Sequence, residues 1–319
     1  MQSAFFLTQG DPFQNMDDYL PMGELLDTLH ISAGLRAVLA VPCNLIGVPL
    51  NDCPVIFHHM VLASYLFSSW KLKEDGSKMT DVFVQRFQET GGSLILNNGV
   101  KKIMLSEGKV TAVTLESGDI LSADAIIAAI HPKILLKLLN ENELRDSFRR
   151  RILGMKETEG VIGVQVKVGA SAHPEINHNI YRLHRDENGM IHDGVFYQIR
   201  SSASPDFNLL SMITKSIYRD WSRWENTVSG HRDKDYTDKK MTIAGNLLKQ
   251  AEEIFGSLRD ASIIDVYTPL TIRDYVNAPE GACYGIMRSS RQLLKAISLN
   301  NIPISGLCLA GQNALAPGV

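Results

Sequence analysis

The chain has 319 residues, 45% of them hydrophobic and 21% charged, and a formal net charge of -3. That length supports a sizeable core in one large domain or two modest ones. Acidic and basic residues are interspersed, with no basic stripe or tail, which argues against nucleic acid as a partner.

The four cysteines are Cys43, Cys53, Cys283 and Cys308. None forms a CxxC pair and none lies near a second ligand cluster, so a disulfide framework or zinc site is not expected. Buried free thiols in a reducing compartment fit better. Met1-Gln2-Ser3-Ala4-Phe5-Phe6 has no basic n-region and no long apolar run, and does not read as a signal peptide. The most apolar window, Leu35 to Leu50, contains Arg36, Pro42, Asn44 and Pro49. It falls short of the roughly 20 apolar residues that span a bilayer, although a surface-bound helix stays compatible with it. The expected location is cytoplasmic, with room for peripheral membrane contact.

In chain order, apolar residues from Leu20 to Leu39 recur at helical spacing and predict a helix over 17–41, broken by Pro42 and Pro49. Val55 to Trp70 reads as a buried helix. Met79 to Glu89 reads as an amphipathic helix with Val82, Val84 and Phe87 on its apolar side, stopped by Gly91-Gly92. The period then changes. Leu94 to Leu96, Val100 to Leu105, Val110 to Leu115 and a run from Ile120 are short strands, with glycine turns at Gly108 and Gly118, a meander pattern. The continuous apolar run Ala125 to Ile130 suits a strand covered on both faces. Helices are expected over 133–139 and 141–152. A second strand-rich region follows at 161–168, 179–183, 195–199 and 209–214, a mixed or antiparallel sheet with one face packed. Residues 229–240 are polar and aperiodic, Met241 to Phe255 is a helix, Ile263 to Val266 a strand and Leu293 to Leu299 helical. Leu307 to Ala310 is a short buried strand ending on Gly311. The α/β pattern of 94–130 returns at 307–311 around a sheet-and-helix body, which predicts two discontinuous domains.

No GxGxxG, Walker loop, GxSxG or HExxH occurs. His58 and His59 are adjacent, so on a helix their rings point about 100° apart and chelate poorly; no metal is expected. Three junctions remain: Gly91 to Pro132, Pro269 to Gly285, and Gly306 to Val319. In the third, a buried strand ends in glycine, where open α/β folds bind ligands and backbone can approach a cofactor closely.

These junctions resemble the phytoene desaturase and retinol saturase group of flavoproteins. Gly92, Val100, Gly108, Gly118, Asp124 and Pro132 are similar to that family's middle segment. Thr268-Pro269, Tyr275, Pro279-Glu280-Gly281 and Tyr284-Gly285 are similar to its late substrate-domain segment. Gly311-Gln312-Asn313 with Gly318 resembles its closing flavin segment.

The resemblance implies an α/β plus α+β fold: an incomplete FAD-binding Rossmann-like layer interleaved with a mixed-sheet and helix substrate domain. The divisions are 1–91 (helical part of the substrate domain), 92–132 (flavin domain), 133–304 (substrate domain) and 305–319 (flavin segment). It implies FAD as cofactor, with Val100, Gly311, Gln312, Asn313 and Gly318 as its contacts. The substrate would be a lipophilic polyene, with His131, Arg273 and Tyr284 as candidate contacts and no catalytic side chain assigned. The apolar segment 55–70 and the strands at 161–214 would line or support a lipophilic tunnel. On the residues alone, His131 reads rather as a solvent-facing turn residue, and Arg273 rather as an ion-pair anchor for Asp274 or Glu280. The family's glycine-rich loop is absent and its last segment runs on beyond Val319, so the chain reads as truncated at both ends. It should bind FAD weakly or not at all, and self-associate through an incomplete sheet. A non-catalytic remnant and an amine oxidase relative are the other readings.

Overall fold

The computed structural model describes residues 19–67, 72, 76–185 and 191–313. Its first helices are α1 (Met22–Thr28), α2 (Ala33–Asn44), α3 (Val55–Phe67) and α4 (Gly76–Glu89). The helix expected over 17–41 is split in two. The chain breaks at 29–32, where His30 takes a left-handed φ of 50° and the Ser32 side chain caps α2 by accepting from the Leu35 amide. Pro42 does not break α2. It sits in the last turn, where the carbonyl it leaves without a donor, that of Val38, belongs to a 63% exposed residue that water can reach. Met22, Leu26, Cys43, Ile46, Cys53 and Phe57 form a core between these helices. α3 is buried only along its first turn, at Val55, Phe57 and His58, whereas Leu66 and Phe67 near its end are exposed.

β1 (Val100–Ser106), β2 (Lys109–Leu115) and β3 (Ile120–Ser122) form the expected antiparallel meander. Gly108 and Gly118 supply the positive φ its two turns require. Leu94 to Leu96 is not a strand; the segment is exposed and pairs with nothing among the described residues. β4 (Ile126–Ala128) and β10 (Leu307–Leu309) lie side by side in parallel, with Leu307 opposite Ile126 and Leu309 opposite Ala128. The two apolar runs with glycine or proline at their ends therefore form one layer, although most of the chain lies between them. β4 is not covered on both faces, because Ile127 is 73% exposed. Residues 133–152 form short α5 (Pro132–Leu135), 3-10 turns and α6 (Asp146–Leu153). Leu135, Leu136, Phe148 and Ile152 pack with Ile103, Val110, Ile286 and Leu307 in a second core.

The third core belongs to a five-stranded antiparallel sheet, ordered β6 (Ile180–Arg185), β7 (Ile191–Ser201), β8 (Phe207–Ser216), β5 (Gly160–Gly169) and β9 (Ser262–Tyr267). Period-two alternation sends Ile162, Val164, Val166, Val195, Tyr197, Leu210 and Met212 to one face. That face packs on Trp221, Trp224 and Tyr236 and on Ala244, Leu247 and Ala251 of α7 (Lys234–Phe255). Each fully buried apolar side chain there contributes about 1.5–3 kcal/mol. α7 starts seven residues earlier than the apolar period suggests, since Asp233 caps it by accepting from the Tyr236 amide. Helix α8 (Pro269–Val276), which apolar spacing does not announce, starts at a Thr268–Thr271 capping box with proline at its first position. α9 (Leu293–Ile297) precedes β10. The whole is a mixed α/β fold with open sheets and helical layers.

Candidate functional site

The face of the antiparallel sheet opposite its core carries a row that crosses all five strands. Tyr181 stands opposite Phe196, Phe196 opposite Ile213, Ile213 opposite Gly163, and Gly163 opposite Tyr267. The Tyr181 and Phe196 rings lie 5.5 Å apart, within the range of favourable aromatic pairs. Gly163 has to be small, because a Cβ there would overlap the Tyr267 ring. Two further phenols close on this row. The Tyr65 side chain, near the end of α3, comes close enough to Tyr181 to raise its pKa. Tyr284 packs its ring against Gly47, and its amide donates to the Thr158 hydroxyl at 3.0 Å. Burial and the nearby Tyr65 side chain push the Tyr181 phenol up to about 12. Burial, then Cys283 and the neighbouring phenols Tyr181, Tyr65 and Tyr267, push Tyr284 upward too. These hydroxyls stay protonated at neutral pH, and the surface they form is aromatic and uncharged.

A buried ionic cluster lies on the other side of Tyr284 along the chain. The backbone of 156–159 pairs with that of 283–287, through Thr158 N to Gly285 O at 2.8 Å and Met287 N to Lys156 O at 2.9 Å. Glu157, its side chain 1% exposed, meets His131 Nε2 at 3.0 Å and Lys133 Nζ at 2.7 Å. His131 is not a solvent-facing turn residue. It is buried, and its Nδ1 accepts from the Lys133 amide, capping α5 directly after β4. Arg288, 1% exposed, donates to the Asn313 carbonyl at 2.7 Å. Burial pushes its guanidinium down to about 10, against the pull of Glu157. The Asn313 side chain accepts from the Ile286 amide at 3.1 Å. Gly285 must be glycine, since its φ is 69° and a Cβ would run into the Asn313 amide. The three sequence junctions thus meet at 131, 284–288 and 313.

The other expected contacts fall as follows. Val100 opens β1 and is 40% exposed. Gly311 takes a φ of 85° just past β10, with open space where a side chain would project. Gln312 is exposed beside it, and Gly318 lies outside the described residues. Arg273 holds structure: its guanidinium donates to Tyr218 Oη at 3.2 Å, to the carbonyls of Glu225 and Thr227, and to Asp274. Arg232 pairs with the same Asp274 carboxylate. Burial alone would raise the Asp274 carboxyl, but the guanidinium groups of Arg273 and Arg232 outweigh it and hold the carboxyl below its ordinary 3.8. A depressed folded-state pKa stabilises the fold above the ordinary value, and that stability is lost as pH falls through the folded value. Asp274→Asn is therefore expected to lower stability at neutral pH and to flatten the loss of structure below about pH 4. Circular dichroism across an acid titration measures this, and an unchanged acid limb contradicts it.

His58 is a core histidine. It is buried, with Nε2 2.8 Å from the Leu39 carbonyl, and burial lowers its pKa. Cys43 and Cys53 are buried together in the helical core, whereas Cys308 is exposed. The described residues contain no group of three or more metal-ligating side chains, and no helix among them is long and apolar enough to cross a membrane.

No protein-family model matches the chain. It is 22% identical over 331 residues to an all-trans-retinol 13,14-reductase from Danio rerio, covering 92% of the chain and 54% of that protein. Among solved structures, an oxidoreductase from Methanosarcina mazei superposes with a TM-score of 0.66 at 15% identity, covering 92% of this chain and 63% of that one. A putrescine oxidase bound to putrescine gives 0.61 at 13%, with coverages of 97% and 66%. The chain is a distant relative of the FAD-dependent amine-oxidase and phytoene-desaturase-like superfamily. It spans about half the length of the curated retinol reductases it matches.

A flavin's needs are met in part here. β4 and β10 end together, and Gly311 lets backbone approach a bound group. The pyrophosphate has no glycine-rich cradle anywhere in the 319 residues. Sequence reading reached Tyr284 and His131 but missed Tyr65, Tyr181, Phe196, Tyr267 and Glu157. The first four carry no short motif. The alignment of Tyr181, Phe196 and Tyr267 depends on strand register, which single strands do not reveal, and Tyr65 comes from α3.

Proposed function

We propose that this chain carries the substrate surface, and one edge of the flavin site, of an FAD-dependent oxidoreductase acting on carbon–carbon bonds of a lipophilic polyene of carotenoid or retinoid kind. The observation that carries this reading is the uncharged aromatic row Tyr181–Phe196–Ile213–Gly163–Tyr267 with Tyr65 and Tyr284 closing on it. A flat conjugated chain stacks on such a surface. The likeness to a retinol reductase supports the substrate class. The flavin supplies the redox chemistry when bound. Val100, Gly311 and Gln312 are the proposed contacts with it, and Asn313 is the anchor that positions their loop. His131 and Tyr284 are the proposed substrate contacts, Tyr284 beside the aromatic row.

A second reading, oxidation of a lipophilic amine, is favoured by the fold shared with putrescine oxidase; electron-rich phenol faces also attract an ammonium. The third reading is a flavin-free fragment without activity of its own. Location in the cytoplasm, peripheral membrane contact through the exposed Leu66 and Phe67, and self-association beside the exposed Ile127 of β4 belong to the same proposal.

Binding of all-trans-retinol, followed by its own fluorescence, tests the surface. Tyr267→Ala is expected to weaken it roughly tenfold, because one aromatic contact contributes about 0.5–1.5 kcal/mol beyond its buried area. Wild-type affinity in both Tyr267→Ala and Tyr181→Ala removes the polyene reading. Displacement of retinol by a long-chain alkylamine at lower concentration moves the weight to amine oxidation.

A further inference from the structure

Tyr267 does not stand away from the sheet as strand side chains ordinarily do. Its ring leans across onto β5. A Cβ on Gly163, directly opposite in register, would lie 2.0 Å from Cζ of that ring and 2.3 Å from Cε1 and from Oη. The outer edge of the phenol therefore fills the place of the side chain that Gly163 lacks. Gly163 has no left-handed φ, so its backbone suits any residue, and the Tyr267 ring is what stands in the way of a side chain there. β9 is the edge strand. With Tyr267 seated over β5, the aromatic row continues to that edge as a floor, and Tyr181, Phe196, Ile213 and Tyr267 are each half-buried along it. The row crosses five strands, or about 19 Å at the usual inter-strand spacing. It is also bordered. On one side, the next residues on the same face are Gln198, Ser211, Gln165 and Asp265, opposite one another in turn. The Ser211 hydroxyl donates to Gln165 at 2.7 Å and Gln198 donates to Asn179 at 3.0 Å. On the other side, Lys215, ion-paired with Glu159, follows Ile213 along β8. Polar groups thus stop the apolar strip about 7 Å away in either direction along the strands. Across the strands, no member of the row carries a charge.

We propose that the substrate chain lies across the strands, along this row, and that Gly163 sets how long a chain the row accepts by giving the Tyr267 ring its seat over β5. This rests on the reading of the aromatic row as the substrate surface. Gly163 is a positioning residue, since it acts through Tyr267. Any side chain at 163 makes the ring rise off β5, because two atoms cannot share that volume. The row then ends at Ile213 on β8, two inter-strand spacings or about 10 Å shorter. A long chain loses its contact with Tyr267, and a short one bound between Tyr181 and Ile213 loses nothing.

The test is equilibrium binding of all-trans-retinol and of β-ionone, which carries the same ring on a much shorter chain, followed by quenching of protein fluorescence. Wild-type protein is expected to prefer retinol. Gly163→Ala should bind retinol roughly tenfold more weakly, the scale of one lost aromatic contact, and β-ionone as wild type does. In a Tyr267→Ala background the same substitution should change neither affinity, because the ring it displaces is gone. The doubly substituted protein should also unfold at a urea concentration no lower than Tyr267→Ala alone, since glycine inside a strand is less favourable than alanine. That comparison decides the matter even where Gly163→Ala by itself does not fold. Retinol bound by Gly163→Ala as tightly as by wild type overturns the proposal. So does an equal loss for both ligands, and so does a double variant that is less stable or binds retinol more weakly than Tyr267→Ala. Each of these leaves the aromatic row as the substrate surface and removes the role of Gly163 alone. Absence of retinol binding by wild type removes the reading of the row, and the length limit with it.

Discussion

Titration of the purified chain with FAD is expected to show weak binding or none. Flavoproteins of this fold class place the pyrophosphate on backbone N–H groups of a glycine-rich loop at a helix N-terminus. The 319 residues hold no GxGxxG and no GxG. A hydrogen bond to a charged group contributes about 1.5–3 kcal/mol, so two or three absent donors weaken binding roughly a thousandfold. The proposed contacts at Gly311, where backbone is open, and near the exposed Val100 would be too little to offset that loss. Flavin fluorescence and calorimetry measure the affinity. Stoichiometric binding in the micromolar range or tighter shows that another element replaces the loop. Where binding is absent, the part of a longer relative that this chain does not cover, supplied in trans, should restore it. Failure of that rescue favours the flavin-free reading.

The second large effect concerns Glu157. Its carboxylate is buried between His131 and Lys133 and lies close enough to Arg288 to oppose the lowering of that guanidinium's pKa by burial. Removing one partner of a buried ion pair leaves the other charges uncompensated at low dielectric, at a cost of about 3–5 kcal/mol. Glu157→Ala is expected to lower stability by that amount, or to prevent folding at 37 °C. It should also loosen the 311–313 loop, because Arg288 holds the Asn313 carbonyl. Glu157→Gln keeps the shape and part of the hydrogen bonding, and should fall between the two. Urea unfolding gives the first quantity, and hydrogen exchange at Ile286, whose amide is held by Asn313, gives the second. The exposed pair Lys234–Asp238 serves as the control; its removal should leave the midpoint where it was, as solvent and salt screen it. A Glu157→Ala protein as stable as wild type would mean that water reaches this cluster.

Much of the fold was legible because period and punctuation are local properties. Alternating Val164, Val166 and Val168 announce a sheet with one packed face, and Gly108 and Gly118 announce the meander turns. Two helix starts were legible in principle, through Asp233 capping α7 and Thr268-Pro269 opening α8. Leu94 to Leu96 failed for the opposite reason: β-propensity sets a preference for extended backbone, and a strand needs a neighbour to pair with. Ile127 failed likewise, since an apolar run does not say whether both its faces will be covered.

By itself, the sequence determined the alternation of layers, the absence of a phosphate-binding loop, and three glycine- and proline-marked junctions that resemble flavoprotein segments. Only the tertiary structure decided that these junctions converge, through the pairing of β4 with β10 and of 156–159 with 283–287. It alone turned His131 inward onto Glu157 and spent Arg273 on Tyr218, Glu225, Thr227 and Asp274. It alone aligned Tyr181, Phe196 and Tyr267 across five strands. The reason is that sequence periodicity fixes which face of its own element a residue occupies. Which residues of distant elements share that face follows from register and packing, and those are set by long-range contacts.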